Sequence, residues 1–107
     1  MKVVPVGPIV EIGGVGIDIQ YGQEVDTHLS GRGYLGEYTV GQATIKVRSD
    51  LAPTETMATL VHEMHHAVNE SYCGGTLSEE QVQGVAQGTC QILRQLGIQL
   101  VLHGTEA

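Results

Sequence analysis

The sequence predicts an α+β fold, a small antiparallel sheet of about three strands packed on two main helices. Three observations predict it. Nine of the 15 glycines fall within the first 41 residues, which marks that part as strands and turns. Apolar residues there recur with a period of two, the pattern of half-buried strands. After Asp50 the apolar period becomes helical and stays so to about Leu96, broken only around Gly74 and Gly75.

Val15, Ile17, Ile19 and Tyr21 alternate with Gly16, Asp18 and Gln20, and Ile9 to Ile12 reads as the partner strand across a Gly13-Gly14 turn. Gly22 to Gly33 reads as a loop, and Ala43, Ile45 and Val47 alternate with Thr44, Lys46 and Arg48 in a third strand. The first helix opens at Pro53, with Thr54 and Glu55 near the positive end of its dipole. Its apolar stripe runs through Met57, Leu60, Val61, Met64 and Val68, and it ends between Asn69 and Tyr72. The second opens at Ser78, a natural N-cap whose capping box Gln81 completes, and shows an apolar face of Val82, Val85, Ala86, Thr89, Leu93 and Leu96. Gly97 stops it, and Ile98 to Leu102 forms a short apolar tail segment.

At 107 residues the chain reads as one domain, 1–107, and with no Phe or Trp its core must be aliphatic. The net charge of -7 and five scattered basic residues argue against a nucleic-acid or anionic-membrane partner. No segment is long and apolar enough for a membrane span, and Pro5, Pro8 and Glu11 interrupt any signal-like run, so a cytoplasmic location is expected. Cys90 reads as a reduced buried thiol beside the apolar face of the second helix. Oligomeric state is not legible.

The chemistry concentrates in the run His62-Glu63-Met64-His65-His66, a complete H-E-x-x-H inside the first helix. Residues four apart on a helix share a face, so His62 and His66 can reach one divalent ion with Glu63 projecting beside them. A five-residue pattern alone is weak, and its flanks strengthen it. Between Thr56 and Glu70 the only obligate charge is Glu63, and no Lys, Arg or Gln marks a solvated face, which a surface histidine cluster would carry.

A catalytic zinc takes three protein ligands and keeps a position open. A third histidine in the extended pattern is excluded, because Asn69 and Tyr72 stand where Gly and His are required. Extending the apolar face of the second helix back from Val82 gives Glu79, so Glu79 points inward and Glu80 outward. Glu79 is then the candidate third ligand; the bland alternative makes both acids complements to the helix dipole. Cys73 is a further candidate, set in a Gly-rich turn of undefined direction.

At these residues the chain resembles a family. Thr59 to Ala67, followed by a Glu opening the next helix, looks like the small gluzincin metallopeptidases, including the minigluzincins and the phage and prophage peptidase domains related to the ImmA/IrrE type. The segments Gly36 to Tyr38 and Ala43 to Val47 resemble the short strand before their active-site helix, so the likeness covers about Gly36 to Leu96. It implies a zincin-like fold, Zn2+ held by His62, His66 and Glu79, Glu63 as general base, and a peptide or protein as substrate. It also implies an edge strand that holds the substrate, for which Val40 to Arg48 is the candidate. The oxyanion stabiliser is left open among Tyr72, Tyr38, His28 and His103.

The competing function is a zinc-binding interaction module or subunit without turnover. Glu63 and a three-ligand set favour turnover, since a structural site needs neither the acid nor an open position. Family members made latent by their own C-terminal segment raise a last expectation: Ile98 to Ala107 enters the cleft, with His103 or Glu106 on the metal, or else completes the core.

Overall fold

Left-handed backbone at Gly13 and Gly14 (φ 62° and 77°) turns the chain back on itself, so β2 (Ile9–Ile12) pairs antiparallel with β3 (Val15–Gln20). A computed structural model describes this and the rest of residues 1–105. After β3 the chain forms α1 (Gln23–Gly31), where the glycine-bounded sequence reads as a loop. Only Leu29 of this nine-residue helix is buried, so its apolar stripe is too thin to register as periodicity.

β4 (Gly36–Thr39) and β5 (Thr44–Val47) follow, joined by a 3-10 turn at Val40–Gln42. They pair antiparallel, while β3 pairs parallel with β5 through Asp18↔Thr44, Ile19↔Ile45 and Gln20↔Lys46. The sheet is therefore four-stranded and mixed, in the order β2-β3-β5-β4, and not a three-stranded antiparallel one. The α1 crossover allows the parallel pair, because parallel neighbours need a connection longer than a hairpin. The expected strand Val40 to Arg48 is also corrected. Its first part is the 3-10 turn, and the remainder lies between two neighbours, so the edges of the sheet are β2 and β4.

α2 (Pro53–Tyr72) begins with Pro53, and Ala52 N–H donates to Glu55 Oε1 at 3.3 Å. α3 (Glu79–Gln95) starts with the capping box read from the sequence: Gln81 N–H donates to Ser78 Oγ at 3.1 Å and Ser78 N–H to Gln81 Oε1 at 2.9 Å. Ile98–Leu102 is β6, paired parallel with β1 (Lys2–Val6) from Lys2↔Ile98 to Val6↔Leu102 in a separate two-stranded sheet. The tail thus completes the core. His103 accepts no place near the histidine motif; its Nε2 donates to Ile19 O at 3.0 Å and its ring packs edge-on to Tyr21. Glu106 lies outside the described residues.

Ile17, Ile19, Ile45 and Val47 from the sheet pack on Leu60 and Ala67 of α2 with Val6 and Leu102, and a second cluster joins Met57 and Val61 to Ala86 and Cys90 of α3. The aliphatic core expected from composition is present. α3 departs from its predicted face, however, since Val85 and Leu96 are exposed. Among the described residues, no helix is long and apolar enough to cross a membrane.

Candidate metal centre

His62 and His66 stand one turn apart on α2, half-buried, with ring centroids 4.8 Å apart and planes at 74°. Their Nε2 atoms are 3.1 Å apart. Glu79, the first residue of α3, brings Oε1 to 2.8 Å from His62 Nε2 and Oε2 to 3.0 Å from His66 Nε2. Three side chains thus converge on a point, and they form a cluster that could hold a metal ion. The chemistry of the set fits a divalent cation. Two imidazole nitrogens and a carboxylate present lone pairs to one another, and a shared cation neutralises that crowding. Tetrahedral zinc with bonds of 2.0–2.1 Å sets its ligands about 3.3 Å apart; the two nitrogens, 3.1 Å apart, already suit it, and with one atom taken from each residue the three donors lie within 4.8 Å of one another, a spread that rotation of the Glu79 carboxylate would narrow.

The approach of Glu79 depends on Asn69, which the sequence marks as a helix end and as a departure from the extended three-histidine pattern, with no role in placing Glu79. Buried in the last turn of α2, its side chain accepts from Leu77 N–H at 3.1 Å and donates to Leu77 O at 3.3 Å. Its own carbonyl accepts from Cys73 and Gly75 N–H, both at 3.0 Å. One residue therefore shapes the turn between the helices and sets the start of α3. His65 adds a cross-link further along, with Nδ1–H donating to Val61 O at 2.8 Å and Nε2 3.0 Å from Thr89 Oγ1. The third histidine of the run is thus a helix-to-helix tie and not a ligand.

Glu63 is 7 % exposed, yet it lines the same cleft as the three donors. Burial, reinforced by the nearby charges of Glu79 and Glu37, pushes its carboxyl up to about 7, against a smaller opposing pull from the Tyr38 backbone amide. β4 lies directly against it. A Cβ on Gly36 would meet Thr59 Cγ2 at 2.5 Å and Glu63 Cγ at 3.1 Å, so only glycine permits this approach.

The remaining sequence candidates separate cleanly. Tyr38 lines the cleft, and burial together with the charge of Glu70 raises its phenol above the ordinary value. Tyr72 is exposed at the end of α2, His28 pairs with Glu37 at 3.3 Å, and none of Tyr72, His28 and His103 lines the cleft. Glu79 and Glu80 are both exposed, so the expected inward and outward positions do not separate them by burial; what does is that Glu79 reaches the two histidines and Glu80 lies outside the cluster. Cys73 and Cys90 are free thiols; Cys73 is not in the cluster, and burial pushes the Cys90 thiol up. Compared with protein-family models, with curated proteins and with solved structures, the chain finds no match.

Proposed function

We propose that this protein is a zinc-dependent peptidase of the small gluzincin type, with a zincin-like arrangement of β4, α2 and α3. The observation that carries the reading is Glu63, a carboxyl buried beside the His62, His66 and Glu79 donors and open to the same cleft. A purely structural metal site has no use for such an acid, and its burial opposes folding.

His62, His66 and Glu79 would hold the zinc, which when bound supplies Lewis acidity and brings the pKa of water toward neutrality. Glu63, buried beside the donors and facing the same cleft, takes a proton from the attacking water and returns it to the departing amine. Tyr38 stays a neutral phenol at that pH and donates to the carbonyl oxygen as charge develops on it. β4 has β5 on one side only, so its other edge offers backbone groups to an extended peptide in the cleft. Exposed Tyr34, Leu35 and Val40 line the same cleft and favour apolar side chains flanking the bond.

Zinc-loaded protein, purified without a histidine tag, should cleave unfolded polypeptides, and Glu63→Gln should hold zinc without cleaving them. Equal inactivity of both across diverse substrates would favour the alternative, a zinc-binding interaction module without turnover.

A further inference from the structure

The outer face of α3 is built for contact it does not make within the chain. Val85, Ile92 and Leu96 are 53 %, 59 % and 67 % exposed, and they recur at spacings of seven and four on the side away from the cleft. Gly88 stands three residues after Val85 on this seam, and a Cβ there would meet nothing within 4 Å. Gln81 and Gln95 border it. Three branched aliphatic residues held in water at helical spacing form a stripe, which scattered surface hydrophobics do not.

Charge identifies the occupant. The chain carries -7 overall, so two copies repel each other over most of their surface. From Gln81 to Gln95, α3 contains no acidic residue, and its one charge, Arg94, lies on the cleft side. On this face two such acidic chains can meet without opposing charges of like sign, and among the helices of the described residues it alone joins that neutrality to an exposed apolar stripe. The stripe is also self-complementary. A twofold axis beside Gly88 runs the two helices antiparallel, sets Val85 of one copy against Ile92 of the other, brings Gln81 against Leu96, and opposes the helix dipoles favourably.

We propose that the protein forms a twofold dimer through the outer face of α3, leaving both clefts open. Glu79 and Gln83 line the cleft from the other side of the helix, so the contact does not cover them. A 17-residue helix is about 25 Å long, and one helix face from each copy falls at the small end of specific interfaces. The dimer is accordingly weak, with a dissociation constant on the order of 10–100 μM.

Sedimentation equilibrium on the full chain from 5 to about 500 μM reads this directly. The mean mass should climb from 11.4 kDa toward twice that value and stop there. Ile92→Glu should stay monomeric throughout with the melting temperature of dilute wild type, because Ile92 is exposed in the monomer. Val40→Glu, on an exposed apolar residue of the cleft, should leave the association as in wild type. A wild-type mass that stays at 11.4 kDa, growth past two copies, or an Ile92→Glu protein that associates like wild type would each overturn the proposal.

Discussion

Gly36 and Glu63 touch so closely that no side chain fits between them: a Cβ at Gly36 would lie 3.1 Å from Glu63 Cγ and 2.5 Å from the Thr59 methyl. The contact lets β4 line the cleft beside the acid of the histidine motif. Gly36→Ala should therefore push β4 away from α2 and cost about 1–3 kcal/mol of stability. Combining it with Thr59→Ser removes the methyl that clashes most and should restore part of the loss, as urea titration of the single and double variants will show. Equal stability of Gly36→Ala and wild type would mean that β4 does not press on α2.

Asn69 makes the equivalent case for Glu79. Its paired hydrogen bonds to Leu77 hold the turn that delivers α3, so Asn69→Ala should lower stability by about 1–3 kcal/mol through unpaired backbone groups. Metal affinity should fall by about tenfold or more even though Asn69 is not a ligand, because an outer group that orients a ligand sets its reach. Zinc competition with a colorimetric chelator checks the second effect.

Glu63 gives the metal-free protein a pH dependence of definite sign. Its folded pKa of about 7 lies above the ordinary 4.5, so between those values the folded chain binds more protons than the unfolded one. Stability from this group is therefore greatest below about 4.5, falls as pH rises toward 7, and is level above that; the full change is roughly 3 kcal/mol. Glu63→Gln should remove that decline. Urea midpoints of zinc-free wild type and variant from pH 5 to 8 should converge at the acid end and separate toward pH 8, with the variant the more stable.

Tyr38→Phe tests the proposed oxyanion donor. Loss of the phenol should lower kcat by about 100-fold with little change in KM and none in zinc stoichiometry. An unchanged kcat would remove Tyr38 from the chemistry and leave it as packing against the core.

The site was more legible in the sequence than the sheet was. His62, His66 and Glu79 could be aligned because helical spacing and the Ser78 capping box are local rules, and the structure brings those three together. Asn69 escaped because its role depends on the turn folding back over eight residues. Gly36 left a faint signal, a glycine in a strand, which marks close approach without naming what approaches. The parallel pairings of β3 with β5 and β1 with β6 join distant segments, and no local pattern states strand order. The tail was open between cleft and core for the same reason: only the pairing with Lys2–Val6 decides it.

Whether His62, His66 and Glu79 together hold one zinc ion can be read by native mass spectrometry of untagged protein with equimolar zinc. Wild type and Glu80→Ala should carry one zinc per chain, whereas Glu79→Ala, His62→Ala and His66→Ala should appear largely metal-free. Full zinc occupancy in Glu79→Ala would remove Glu79 from the ligand set, and a wild-type chain that takes up none would remove the metal site altogether.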